Sequence, residues 1–294
     1  MVAQNFTTRL RAWLLIAGLS GLLIAIGAVI GGGALWLFVL LTVAMNVAMY
    51  WWSDKLALKM SRAQPVTEAE APQLYEDVRD LVQRAELPMP RLYMIPNDQP
   101  NAFATGRNPS HSAVAVTRGL MQQLPREQVR GVLAHELAHV KNRDILVTTI
   151  AAVVAGAISA IANIMQWTMI FGGGDDEDNP LGIVGMLATI IIAPIAAMLL
   201  QLAVSRQREY LADATGAKIL GRAAPLADAL ETLDRRAYET PMQVNPATSS
   251  LYIVEPMLGL GGRGMVSLFS THPPTAERVR RLRALDGQLV GLAA

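Results

Sequence analysis

The chain has 294 residues, of which 52% are hydrophobic and 17% charged, with a mean hydropathy of +0.32. That balance is too apolar for a purely soluble protein of this size, so part of the chain belongs in lipid. A net charge of +1 excludes a strongly basic nucleic-acid binder, and zero cysteines exclude disulfides and thiolate metal sites, which leaves imidazole and carboxylate as ligands.

Residues 12–53 contain no Asp, Glu, Lys, Arg or His, a length sufficient for two membrane spans of about 20 residues. The spans are predicted near residues 13–30 and 35–52, with Gly31, Gly32 and Gly33 forming the turn between them. Arg9 and Arg11 ahead of the first run also fit a cleavable signal peptide, but the second apolar run that follows at once favours a retained hairpin. Tyr50, Trp51 and Trp52 form an interfacial belt, and Lys55, Lys59 and Arg62 mark the exit from the bilayer.

A soluble segment follows. Thr67 and Glu70 make a capping box, and Leu74, Val78, Leu81 and Val82 recur at helical spacing, so a helix is predicted over residues 68–86. Residues 91–95, 101–105 and 112–117 read as short strands between Pro, Asn and Gly punctuation. The stretch Asn101, Ala102, Phe103, Ala104 has two readings. It is either a plain hairpin strand or an exposed edge strand that adds a peptide substrate through backbone hydrogen bonds.

Next comes His135-Glu136-Leu137-Ala138-His139, inside the run from Val129 to Asp144. On a helix the two histidines leave one face at i and i+4, a spacing suited to one zinc ion. Glu136 falls roughly 100° round the helix, close enough to reach a metal-bound water but poorly placed to be a ligand on the same stripe. The bland alternative is an amphipathic helix with two surface histidines, in a chain that has only four.

Residues 145–174 and 179–205 are two further uncharged runs, separated by Asp175, Asp176, Glu177 and Asp178. Each is long enough to span, although Asn163 and Gln166 also allow a buried helical hairpin of a soluble domain, and Pro194 predicts a kink in the second. With four spans, all 25 Lys and Arg residues fall on one side, which the positive-inside rule makes cytoplasmic along with both termini and the catalytic segments.

The run from Arg206 to Asp213 reads as a helix leaving the membrane, with Glu209 and Asp213 at i and i+4. Glu209 could complete a His2Glu set, and Asp213 could accept a hydrogen bond from the other ring nitrogen of a ligand histidine. Taken alone, the pair would be a solvated charged face beside Arg206 and Arg208. Further on, Pro273 and Pro274 stiffen the chain ahead of a helix predicted from Pro274 to Leu285, so His272 is either a helix cap or a donor held for an oxyanion.

HELAH with Val140 and Asp144, the block from Ser205 to Asp213, the run Asn101 to Gly106, and Thr271-His272-Pro273-Pro274 together resemble the HtpX family. These are bacterial membrane zinc endopeptidases related to the CAAX prenyl endopeptidases. The resemblance covers nearly the whole chain. It implies His135, His139 and Glu209 as ligands of one zinc ion per chain, with Glu136 as the catalytic acid and base. It also implies catalytic roles for His272 and Arg278, quality control of misfolded or damaged membrane proteins, and a place in the cytoplasmic membrane. The acidic 175–178 loop and the Gly-rich stretch from Thr240 to Gly264 have no counterpart in it.

The fold expected is an α-helical membrane protein carrying an α+β, zincin-like cytoplasmic catalytic domain, with four predicted transmembrane helices. Residues 1–56 are the first membrane hairpin, 57–144 the segment with the small sheet and HExxH helix, 145–205 the second hairpin, and 206–294 the segment with the third ligand and C-terminal helices. Expected partners are membrane-protein or unfolded polypeptide substrates and the lipid bilayer, not nucleic acid. A transporter is disfavoured because no ionisable group lies within the spans. A zinc-binding membrane chaperone or assembly factor is the stronger rival, and Glu136 argues against it, since a closed structural zinc site needs no base. Topology is open to a direct check. A reporter fused after Asp175 should read periplasmic and one at the C-terminus cytoplasmic. If both report the same side, residues 145–205 do not cross twice.

Overall fold

The computed structural model describes residues 33–153, 206–240, 242, 251–254 and 273–293, with a few isolated positions between 17 and 28. The acidic loop, His272, and most of the expected first span and second hairpin lie outside the described residues.

Helix α1 (Ala34–Met60) contains the expected span over residues 35–52 and continues past it, because residues 53–60 hold neither Gly nor Pro to stop it. It ends at Ser61, followed by Arg62 in the left-handed region at φ 53°. The stretch Leu35–Met60 is long and apolar enough to cross a membrane. Trp36, Leu37, Leu40 and Leu41 are exposed, as lipid-facing side chains are, whereas Ala57 and Leu58 near its end are buried against the sheet. Asn46 Nδ2 donates to Ser20 Oγ at 2.8 Å, so a polar residue of α1 is satisfied by one from the first apolar run.

The sheet has four strands, β1 (Gln64–Pro65), β2 (Arg91–Ile95), β3 (Ala102–Gly106) and β4 (Ser112–Thr117), in the order β1-β2-β4-β3. β1 pairs antiparallel with β2, and two residues are too few to leave a periodic signal in the sequence. β2 runs parallel to β4, with Arg91 opposite Ala113, and β3 runs antiparallel to β4, with Ala102 opposite Val116. β3 is thus an edge strand, yet every residue in it is buried. Both faces of the sheet are covered, which is why β4 is a continuous run of small and apolar residues rather than an alternating one.

One face packs Ala102, Ala104, Val114 and Val116 against α2 (Pro72–Ala85) and α4 (Arg126–Asn142). The other packs Phe103, Ala113 and Ala115 against the end of α1 and against Tyr252, whose ring meets Phe103 edge-on at 5.2 Å. Between β4 and α4 lies the short α3 (Arg118–Gln123), capped by Thr117 Oγ1, which accepts from the Leu120 N–H. After the second apolar region come α5 (Arg206–Leu220), α6 (Ala224–Glu239) and α7 (Thr275–Ala293).

α2 begins four residues later than the capping box predicts. Thr67 N and Oγ1 do donate to Glu70 Oε2, both at 2.7 Å, but Ala71 precedes Pro72 and is held out of the helical region at φ −137°. The helix starts where proline's fixed φ and missing N–H are tolerated. α7 begins as expected and runs past Leu285 through Gly287.

α2 and α4 are tied by Asp77, fully buried, which accepts from Arg126 Nε at 3.0 Å and Arg130 Nη1 at 2.9 Å. α4 and α6 cross at Gly131, where an added Cβ would lie 2.7 Å from Leu226 N and 2.9 Å from its Cα. Backbone on both sides cannot yield as a side chain could, so Gly131→Ala should lower stability by about 1–3 kcal/mol in thermal unfolding. Gly287→Ala, with nothing within 4 Å, should instead leave stability unchanged or raise it by about 0.5–1 kcal/mol.

Candidate active site

α4 carries His135 and His139 one turn apart on the face that meets α5, and their Nε2 atoms converge to 3.1 Å. α5 can lie close because Gly216 has no side chain: a Cβ there would stand 3.0 Å from His135 N and 3.1 Å from Ala134 O. Glu209 lies seven residues before Gly216 and so projects from nearly the same face of α5. Its carboxylate stands 3.8 Å from His135 Nε2 and 3.6 Å from His139 Nε2. One ligand atom from each of the three residues fits within a 4.8 Å cluster. A tetrahedral zinc with bonds of about 2.0–2.1 Å holds its ligand atoms about 3.3 Å apart, so these two imidazoles and one carboxylate suit it in spacing and donor type.

The outer nitrogens of both rings are also occupied. His135 Nδ1 donates to Asp213 Oδ1 at 2.9 Å, and His139 Nδ1 faces both oxygens of Asp144 at 3.1 Å. Each contact fixes a tautomer that leaves Nε2 free to coordinate. Asp144 reaches His139 because α4 ends in a left-handed residue, Arg143 at φ 59°, which folds the chain back under the last turn.

These carboxylates make the site attractive to positive charge. Burial works to lower the His139 pKa, but Asp144 outweighs it with help from Glu209 and Glu136, and the group is pushed up to about 10. Asp213 is pulled down to about 2, burial acting upward and the Arg278 guanidinium prevailing. Glu136 is raised from the ordinary carboxylate range, chiefly by burial, against the opposing pull of His135 and His139. The backbone N–H of Ala104 nearby acts in the same lowering sense as the histidines, so the β3 edge adjoins the buried acid.

Arg278, in the first turn of α7, is fully buried. It forks onto Asp213 with Nε to Oδ2 at 2.9 Å and Nη2 to Oδ1 at 2.7 Å, and Nη1 donates to Ile253 O at 3.1 Å. Nη1 also lies 3.7 Å from Glu209 Oε2. The sequence places Arg278 beside His272 as a catalytic group. In the structure its shortest bonds go to Asp213 and Ile253, as a buried carboxylate demands a bidentate counter-ion, and Nη2 also lies 3.4 Å from both ring nitrogens of His135.

Of the four residues read as a substrate strand, Ala102 and Ala104 turn their backbone groups to the outer edge of β3. Ala102 O accepts from Ile253 N at 3.1 Å. Asn101 is spent on structure, its Nδ2 donating to Val254 O at 2.8 Å, and Phe103 is packed in the core.

The profile of peptidase family M48 matches residues 68–286. This chain belongs to peptidase family M48. It is 56% identical over 280 residues to a protease HtpX homolog of Pelotomaculum thermopropionicum, covering 94% of this chain and 98% of the relative. A protease HtpX homolog of Syntrophobacter fumaroxidans is 54% identical over 284 residues, 95% and 99% of the two chains. Another, from Aquifex aeolicus, is 49% identical over 269 residues, 90% and 88% of the two chains. Among solved structures, S. mikatae Ste24p shares the fold with a TM-score of 0.50 at 21% identity, over 96% of this chain and 67% of that one. An M48 chain is a metalloprotease, and the His135, His139 and Glu209 group is where this one could hold its metal.

Sequence reading assigns no role to Asp144 in this M48 site. The available signal was a carboxylate five residues after His139, just beyond the helix, where only a left-handed turn would bring it back. Because Asp144 and Asp213 each hold one ring, Asp144→Asn and Asp213→Asn should each weaken metal binding about 10- to 100-fold, measured by competition with a chelator. Glu209→Ala should lose the metal outright. If Asp213→Asn loses as much metal as Glu209→Ala, Asp213 is itself a ligand.

Proposed function

We propose that the chain is a membrane-bound zinc endopeptidase that cleaves misfolded or damaged membrane polypeptides at the cytoplasmic face. The observation that carries this reading is a three-residue metal group with a buried carboxylate, Glu136, beside it and an edge strand adjoining that carboxylate. The four-span topology and cytoplasmic orientation rest on the one-sided Lys and Arg distribution. The quality-control role rests on the likeness to the HtpX family.

When bound, zinc polarises the scissile carbonyl and lowers the pKa of a coordinated water. Glu136 takes the proton from the attacking water and passes it to the leaving amine nitrogen, a role suited to a carboxylate whose affinity for protons burial has raised. His135, His139 and Glu209 would hold the metal, and Asp213 and Asp144 keep the two rings turned so that each Nε2 faces that point. Arg278 acts through Asp213 and Glu209 as a positioning residue. His272, just ahead of Pro273 and α7, is proposed as a donor to the tetrahedral oxyanion. The substrate backbone is proposed to add to the outer edge of β3 beyond Ala102, where Ile253 already holds one carbonyl.

A zinc-binding chaperone without hydrolysis would have no use for Glu136, whose burial disfavours its charged form. Glu136→Gln decides between the two. Purified in detergent and given an unfolded membrane or casein-type substrate, this variant should keep its zinc and lose several orders of magnitude in proteolysis. Full activity at unchanged metal content would sink the mechanism.

A further inference from the structure

A second cavity, of about 460 Å³, lies between the end of α1 and the turn joining β3 to β4, and none of the metal-site residues lines it. Its walls include Trp51, Trp52 and Lys55 of α1, Arg91 at the start of β2, and Arg107 and His111 of the turn. Asp54 is the one carboxylate in the lining, and it is already paired with Arg91 at 2.6 Å. Among the described residues no carboxylate lies within 4.0 Å of Lys55 or Arg107, so the cavity holds two cations without an anion.

The groups are presented by fixed structure. The Arg107 guanidinium lies over the Trp51 ring, 4.4 Å from its centroid, which steadies the plane and leaves its N–H edges for an acceptor. The turn is closed by Asn108, whose Oδ1 accepts from His111 N at 3.0 Å, and by Ser112 Oγ donating to Pro109 O at 2.8 Å. Gly106, at φ 140°, allows the turn to press against the end of β3, where a Cβ would meet His111 O at 2.3 Å. His111 Nδ1 faces Asn108 Oδ1 at 3.0 Å, so its outward nitrogen is Nε2.

Depth identifies the occupant. From Ala34 to Trp52 α1 rises about 28 Å, close to the hydrocarbon thickness of a bilayer, which puts Trp51 and Trp52 at the headgroup layer. Both are about half exposed, at 49% and 53%, and Lys55 follows one turn later. A cavity at that level, with an aromatic wall toward the acyl chains and two unpaired cations on the water side, matches an anionic phospholipid.

We propose that this cavity binds the phosphodiester of an anionic phospholipid between Lys55 and Arg107, with the acyl chains lying along α1. It rests on the membrane reading of α1, and because its readout is lipid occupancy rather than proteolysis, its failure is distinguishable from failure of the peptidase reading. Full-length protein in non-ionic detergent is titrated with short-chain phosphatidylglycerol, and bound lipid is counted by native mass spectrometry alongside Trp fluorescence. Phosphatidylcholine of the same chain length and inorganic phosphate are parallel titrants. Phosphatidylglycerol should bind at least about tenfold more tightly than phosphatidylcholine, whose choline cancels the phosphate charge, and inorganic phosphate should not displace it. Arg107→Gln and Lys55→Gln should each weaken phosphatidylglycerol roughly fivefold, while Arg107→Lys and the equally charge-reducing Lys218→Gln leave most of the affinity in place. Lys55→Gln lies on an exposed helical face, so its effect is readable even if Arg107→Gln folds poorly. Equal binding of the two lipids, or no change in Lys55→Gln, overturns the proposal. Displacement by millimolar inorganic phosphate would assign the cavity to a soluble anion and overturn it equally.

Discussion

Everything at the metal site depends on how closely α4 and α5 approach. The two histidines are one helical turn apart and bring their own nitrogens together, but Glu209, the third member of the candidate metal group, belongs to another helix. A difference of an ångström in helix separation is the difference between three donors within reach of one ion and two stray imidazoles. Gly216 sets that separation by letting the backbone of α5 rest on Ala134 and His135. Gly131 does the same on the other side of α4, against Leu226. The helix carrying His135 and His139 is thus held between two close crossings, each of which depends on the absence of one methyl group.

Such close packing confines charge. Glu136, Asp144, Glu209 and Asp213 are all buried around the two rings, an arrangement that like-charge repulsion and desolvation oppose. Arg278 is the protein's own answer for Asp213 and, at 3.7 Å, for Glu209. The raised pKa of His139 expresses the remaining demand for a cation, which a divalent metal between Nε2 and Glu209 would meet. Arg278 also reaches Ile253, whose N–H holds Ala102 at the edge of β3. One buried guanidinium therefore connects the ligand cluster to the strand proposed to receive substrate.

β3 is also the link to the membrane side. Its Ala104 N–H meets Glu136 at one end, and Gly106 closes onto the turn carrying Arg107 at the other. The sheet face behind it packs on Ala57 and Leu58 of the same helix whose earlier residues are exposed and apolar. The apolar helix α1, the sheet and the histidine-bearing α4 form successive layers, so the candidate site is held at a fixed distance from the end of α1.

What the sequence determined by itself is local and periodic. Spacing of i and i+4 sends His135 and His139 out of one face of any helix that contains them, and an uncharged run ending in Trp51 and Trp52 marks a helix suited to lipid. The positions of β2, β3 and β4 were readable to within one residue, because turn residues bound each of them, whereas the two-residue β1 was missed. Local rules also explain the misplaced start of α2, where Pro72 overrides the capping box. Contacts between segments distant in the chain were decided by tertiary structure. Only packing brings Glu209 to the histidines, spends Arg278 on Asp213, folds Asp144 under His139, and lays residues 251–254 along β3. Periodicity specifies which face of an element is apolar. It carries no information about which other face will meet it, because that choice is made by the shape and charge of surfaces that exist only once the chain has folded.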